Sequence, residues 1–194
     1  GQRQHGHMQA VGYNLYCKML NEAVLRLRGG KNVEDDDFET VADIQTDAFI
    51  PDSYIKNEAL KLDIYRRIAA VENKEEQEDM LEELIDRFGD PPTAVMNLLE
   101  ITLLRGLAHS LYITEVKARS DMITFTMYEK AKIRVDKIPE LLEQMGGNMM
   151  FRHAEPAQFI CRLQGGRRRF SGTILEITRE VLEEMCVLRE EEEK

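Results

Sequence analysis

The sequence predicts an α+β fold, in which helices pack around a buried central helix and a small, mainly antiparallel sheet with helical cover follows. Three observations support this prediction. Apolar residues recur at helical spacing before residue 112, their period changes to two near residue 113, and glycine or proline ends most segments. Helices followed by strands are the element order of the α+β class.

The composition is that of a globular protein and argues against several functional classes. Of the 194 residues, 43% are hydrophobic and 32% are charged. The net charge of −10 argues against non-specific binding of nucleic acid by the chain as a whole. No apolar run approaches the roughly 20 residues of a membrane span. Three dispersed cysteines form no disulfide framework, which predicts a cytoplasmic protein.

The first 40 residues divide into a polar start, one amphipathic helix and an acidic linker. Apolar side chains recur at helical spacing over residues 13–28, and Gly29 and Gly30 end that helix. The stretch 29–40 contains many acids and little to bury, which predicts a solvated linker. We therefore expect one domain over residues 41–194.

A short edge strand and a helix are predicted next. Residues 41–50 alternate loosely until Pro51 ends the strand, and Asp52 or Ser53 is expected to cap the following helix. The apolar stripe of that helix comprises Leu60, Ile64, Ile68 and Val71.

The following helix is strongly acidic on its outer side. Asn73 with Glu76 three residues later predicts a capping-box start, and Gly89 followed by two prolines ends the helix. The predicted core stripe comprises Leu81, Leu84, Ile85 and Phe88.

Residues 92–111 carry apolar side chains around nearly the whole helical circumference, which predicts a buried helix at the centre of the domain. Glu100 and Arg105 interrupt it and argue against a membrane span. The remaining elements are a hairpin of strands 113–119 and 123–128, a helix over 137–145, strands near 149–153 and 158–163, and a helix over 171–189.

Motifs of catalysis are missing from the sequence. Gly29-Gly30-Lys31 lacks the preceding strand and the following Ser or Thr of a phosphate-binding loop, and no Gly-x-Ser-x-Gly motif occurs. His5 and His7 have no third ligand at metal-binding spacing. We therefore predict that this chain by itself is not an enzyme and has no catalytic residues, metal site or cofactor.

Four arginines gather around the Gly165-Gly166 turn, namely Arg162, Arg167, Arg168 and Arg169. Such a cluster is able to contact a phosphate or an acidic partner. A solvated basic loop is the simpler interpretation of the same residues. The first interpretation would make the chain a nucleic-acid-binding α+β domain.

The acidic helix carries a second candidate site. Between Glu72 and Arg87 there are eight acids and two bases, and a helical wheel places Glu83, Asp86 and Arg87 opposite the predicted core stripe. A solvated face with a weak Glu83–Arg87 pair is one interpretation. The other is an electrostatic docking face for a basic partner.

Several strings resemble bacterial transcription-repair coupling factors, the Mfd family. Residues 1–6 and the string QAVGYNLY (9–16) resemble the end of the family's motor. The strings FIPDSYI (49–55), LDIYRRIA (62–69) and ELIDRFGDPP (83–92) resemble its C-terminal domain.

The resemblance implies a parent protein that is an ATP-dependent translocase on double-stranded DNA, with ATP and Mg²⁺ as its cofactors. Such a protein displaces stalled RNA polymerase and recruits nucleotide-excision repair through UvrA. Residues 1–28 would end the translocase module, and Gln4 would lie in the loop that couples ATP use to movement.

For residues 41–194 the resemblance implies a regulatory role. The family's C-terminal domain docks on the N-terminal UvrB-like module of the same protein and masks its UvrA-binding surface. Glu83, Asp86 and Arg87 match the positions of that contact, and 29–40 would be the tether.

Overall fold

The computed structural model describes residues 38–191. Over these residues it contains five α-helices and one five-stranded mixed sheet, which confirms the predicted α+β class. The strands are β1 (Val41–Ile44), β2 (Ile113–Ala118), β3 (Met122–Met127), β4 (Met149–Arg152) and β5 (Gln158–Arg162). The helices are α1 (Glu58–Ala69), α2 (Lys74–Phe88), α3 (Thr93–Ser110), α4 (Ile138–Gln144) and α5 (Ile174–Met185).

The described chain divides into two units. The first comprises residues 46–103, and the second comprises 38–45 together with 104–191, so that the division falls inside α3. The predicted helix over 13–28 and most of the predicted linker lie outside the described residues. The predicted domain boundaries at residues 28 and 40 therefore stay predictions.

In the first unit, α1 begins later than the sequence pattern predicts. Asn57 is its N-cap, and the Asn57 side chain accepts a hydrogen bond from the Leu60 N–H at 2.9 Å. Asp52 is not the cap, because its carboxylate contacts the ammonium group of Lys61. Ser53 lies in a turn in which the Tyr54 N–H donates to the Pro51 carbonyl at 3.0 Å.

Helix α2 has the predicted cap but a rotated core face. Asn73 accepts a hydrogen bond from the Glu76 N–H at 2.9 Å, whereas the Glu76 carboxylate accepts from the Glu72 N–H and not from that of Asn73. Met80 is buried at 6% exposure, while Ile85 is 41% exposed. The prediction of Ile85 as a core residue was therefore wrong, since α2 turns its buried side towards Met80 and Leu84.

Helix α3 has the most continuous burial of the described helices. Its exposed residues are the terminal Thr93 and Ser110, and the residues between them are buried or half-buried. Val95, Leu98 and Leu99 in the first unit are completely buried. The position of this helix at the centre of the domain stays a prediction.

The sheet of the second unit has the order β1-β2-β3-β5-β4. Three neighbouring pairs are antiparallel, as predicted, and β1 is parallel to β2 at one edge. Alternation along β3 buries Ile123 and Phe125 and leaves Thr124 less buried on the opposite face. The buried face of the sheet and the buried sides of α4 and α5 form the core of this unit.

Candidate functional site

The three residues of the predicted docking face differ in burial. Asp86 and Arg87 are exposed near the end of α2, whereas Glu83 is half-buried. The guanidinium group of Arg67, on α1, contacts Oε2 of Glu83. The Nη1 atom of Arg87 lies 3.8 Å from the same oxygen. Glu83 is therefore neutralised within the unit, and Asp86 is the exposed acid of the three.

The ion pair affects the titration of both partners. Contact with the Arg67 guanidinium is the largest cause that lowers the pKa of Glu83, and Arg87 adds to this effect while burial opposes it. The same contact raises the pKa of Arg67. Both side chains keep more than a third of their surface in water, at 41% and 35%. Solvent consequently screens the pair, and its contribution to stability is small.

Tyr54 and Phe88 hold the end of α2 in place. The Tyr54 hydroxyl donates to the Gly89 carbonyl at 2.8 Å and lies 3.2 Å from that of Leu84. The Tyr54 and Phe88 rings pack in a T-shaped arrangement with 5.8 Å between their centroids, and the Arg87 guanidinium lies 5.0 Å from the Phe88 centroid. These contacts fix the backbone that carries Asp86 and Arg87.

Tyr54 and Arg67 are site residues that the sequence reasoning missed. Both support α2 from elsewhere in the first unit, and nothing in the periodicity of α2 indicates them. A signal was nevertheless present, because Tyr54 lies in the string FIPDSYI and Arg67 in LDIYRRIA. These two strings supply contacts to the third, ELIDRFGDPP.

The arginine cluster divides into one structural residue and three exposed ones. Arg168 Nη2 donates to Glu180 at 2.7 Å and to Glu184 at 2.9 Å, both on α5. Arg162, Arg167 and Arg169 are exposed. The structure therefore does not present the four predicted residues as one set of free cations.

Asn148 holds the arginine loop against the sheet. This buried side chain donates to the Arg162 carbonyl at 2.9 Å and to the Arg168 carbonyl at 3.2 Å, and it accepts from the Arg168 N–H at 3.0 Å. A methyl group at Gly166 would lie 1.9 Å from the Asn148 Oδ1 atom. Only glycine fits at this position, since the amide occupies the space of a side chain.

The thiol of Cys161 has a structural environment. Cys161 is completely buried, and burial raises the pKa of its thiol to about 11.

Within residues 38–191, no group of three or more His, Cys, Asp and Glu side chains is arranged to hold a metal ion. The helices of that range include none with the length and apolar character of a membrane span. Gln4 lies outside the described residues.

Comparisons with known proteins place FIPDSYI, LDIYRRIA and ELIDRFGDPP within the range of one matched family model. Residues 44–138 match the model of the TRCF domain. The transcription-repair-coupling factor of Staphylococcus haemolyticus is 36% identical over 156 residues, which is 80% of this chain and 12% of that protein. The Bacillus subtilis protein of the same name is 35% identical over 148 residues. The chain thus spans 12% of the length of these relatives.

A solved structure is similar over most of its length. The crystal structure of a C-terminal domain of a transcription-repair coupling factor superposes with a TM-score of 0.54 at 26% identity. The similarity covers 76% of this chain and 94% of that one.

Proposed function

Because the chain belongs to the transcription-repair coupling factor family, as its C-terminal TRCF domain, we propose that it is the regulatory docking domain of its parent protein. In this proposal the domain binds the N-terminal UvrB-like module of the same polypeptide in the cytoplasm and masks the surface that receives UvrA. ATP hydrolysis with Mg²⁺, translocation on double-stranded DNA and displacement of RNA polymerase belong to the parent, and this part of it catalyses no reaction.

The observation that carries the proposal is the pair of exposed, opposite charges at the end of α2. Asp86 and Arg87 are neighbours on backbone that Tyr54 fixes. A partner must therefore place a cation at Asp86 and an acceptor at Arg87. Such a pattern favours one orientation of docking over others.

Docking of this kind works as a population switch. A docked state that is favoured by a few kcal/mol is occupied almost completely, and it is released when a rearrangement elsewhere offsets that difference. The tether predicted over residues 29–40 keeps the two modules at high effective concentration, so the contact itself need not be strong.

The test measures binding of the separately expressed N-terminal module to this chain by calorimetry. We expect the affinity to fall as salt rises and to fall at least tenfold on Asp86→Arg. Asp86 is a cleaner target than Glu83, because reversal of Glu83 also places two cations, Arg67 and the new one, side by side. The matched control is Asp121→Arg, a charge reversal in the exposed β2–β3 turn. Equal affinity of the Asp86 and Asp121 variants would reject the proposal.

A second candidate function is supported by the three exposed arginines of the loop. Arg162, Arg167 and Arg169 are available to a phosphate backbone. The net charge of −10 opposes such binding. We expect no tight complex with duplex DNA in an electrophoretic shift assay at moderate salt, and a complex that the triple Arg→Gln variant abolishes would favour this second function.

A further inference from the structure

Strand β4 forms an open edge of the sheet in the second unit. It is the last strand in the order β1-β2-β3-β5-β4, so no described strand pairs with its outer side. The Arg162 N–H donates to the Asn148 carbonyl at 2.8 Å, so these two residues form a hydrogen-bonded pair in the register of β4 and β5. In an antiparallel pair only every second residue of a strand bonds to its partner strand, and the residues between direct their backbone groups to the other side. The backbone N–H and C=O groups of Met149 and Phe151 therefore point to the open edge.

The outer face beside this edge is apolar at its centre. Met150 is 52% exposed and lies opposite Ile160 in the register of β4 and β5. Met122 is 37% exposed and lies opposite Arg162 in the register of β3 and β5. Exposed large apolar side chains on a free edge favour pairing with another strand unless the edge is blocked.

Cations flank this apolar centre on the same face. Arg152 follows Met150 by two residues and Arg162 follows Ile160 by two, so each arginine shares a face with its apolar neighbour. Both arginines are exposed. The outer faces of β3, β4 and β5 carry no carboxylate to neutralise them. The face is thus locally positive on a protein whose net charge is −10.

We propose that the edge of β4, with Met150, Arg152 and Arg162, binds an extended acidic segment of another protein by strand addition. The free backbone groups of Met149 and Phe151 would pair with the added strand, Met150 would contact an apolar side chain, and the two arginines would contact its acids. This surface is separate from the docking face on α2 and does not depend on the proposed function. A four-residue edge offers few hydrogen bonds, so the binding is expected to be weak and salt-dependent.

The experiment uses the full chain labelled with ¹⁵N and a fluorescein-labelled peptide of five Glu-Val repeats. We expect saturable anisotropy, with amide shift changes concentrated at Met149–Arg152 and slower amide exchange at Met149 and Phe151. The joint change Arg152→Glu and Arg162→Glu should weaken binding at least tenfold at low salt. The matched control reverses Lys56 and Arg66, two exposed cations outside the sheet.

Two further measurements keep the proposal falsifiable. Met150→Gln, which removes the apolar contact without changing the charge, should weaken binding about fivefold even if the double reversal fails to fold. A peptide methylated at every backbone nitrogen should not bind. Strand addition is overturned if either variant binds the peptide as tightly as the wild type does. It is also overturned if the methylated peptide binds as tightly as the unmethylated one. Binding of a 20-base-pair duplex DNA, with no binding of the peptide, assigns the arginines to nucleic acid and overturns it too.

If something other than another protein binds this edge, two measurements would show it, and either result would contradict the proposal. A tenfold gain in peptide affinity on removal of residues 1–37 would mean that this segment of the chain itself covers the edge. A dimer in sedimentation velocity that Met150→Lys dissociates would mean that a second copy does so.

Discussion

The acidic face of α2 and the arginine loop after β5 are both runs of like charge in which one residue is paired within its own unit, and the two paired residues differ in their exposure to water. In the loop, Arg168 is bound by two carboxylates of α5 and keeps 20% of its side-chain surface in water. On α2, the Glu83 side chain keeps 35% of its surface in water, and Arg67 and Arg87 both approach its Oε2 atom. A run of like charge thus contains both residues that pair within the protein and residues that are exposed to a partner. Opposite charges outside the run determine which residues are paired.

The largest effect is expected at Asn148, whose side chain makes three hydrogen bonds to the backbone of the loop, whereas the Tyr54 hydroxyl contacts two carbonyls at the end of α2. We expect Asn148→Ala to lower the free energy of unfolding by about 3 kcal/mol, because three hydrogen bonds to partly buried backbone groups of Arg162 and Arg168 are lost. Urea denaturation measures this. The control is Asn97→Ala, whose amide donates to the Asp47 carbonyl at an exposed site. Equal losses in the two variants would contradict the assigned role.

A second test concerns which side of α2 is buried. Met80→Ala should cost about 2 kcal/mol, because it leaves a cavity in the first unit, whereas Ile85→Ala should cost less than about 0.5 kcal/mol at its exposed position. Thermal or urea unfolding of both variants decides between the observed and the predicted core stripe. A larger effect at Ile85 would restore the stripe that the periodicity predicts.

The third test separates the structural arginine of the loop from its exposed neighbours. Arg168→Gln should cost about 1 kcal/mol, since Glu180 and Glu184 lose a shared partner that is mostly shielded from water. Arg169→Gln is the matched control and should have no measurable effect. If both variants unfold at the same denaturant concentration as wild type, the loop contains no structural cation.

The smallest effect is expected for the ion pair on the α2 face. Arg67→Gln should cost about 0.5 kcal/mol at neutral pH, because both partners are partly exposed. A double-mutant cycle with Glu83→Gln isolates the pair, and Arg66→Gln is the control.

The pH dependence of this pair has a definite sign. Arg67 lowers the pKa of Glu83 in the folded state, so the contribution is present above the pKa of the unfolded chain, about 4.3. It is lost as the pH falls through the lower folded pKa. Unfolding curves at pH 7 and pH 3 should therefore show coupling at the higher pH. Coupling that persists at pH 3 would contradict the ionic origin.

The sequence predicts correctly those elements whose signals lie in neighbouring residues. The hairpin of β2 and β3, the strands on either side of Pro156, and the Asn73 cap all follow from neighbouring residues. The parallel pairing of β1 with β2 could not be predicted, because Val41 pairs with Glu115, far along the chain. The same reason hid Arg67: helical periodicity places Glu83 on a face but does not reveal which side chain of α1 meets it.

The residues just before β1 anchor the amino-terminal end of that strand within the second unit. The Phe38 ring stacks on His109 and Tyr128, with centroids 4.4 and 4.5 Å away, and the Thr40 hydroxyl donates to the Ile113 carbonyl at 2.6 Å. A pull transmitted along the backbone from the amino-terminal side would reach these anchors first. The rings would have to separate before any tension strained the hydrogen bonds between β1 and β2.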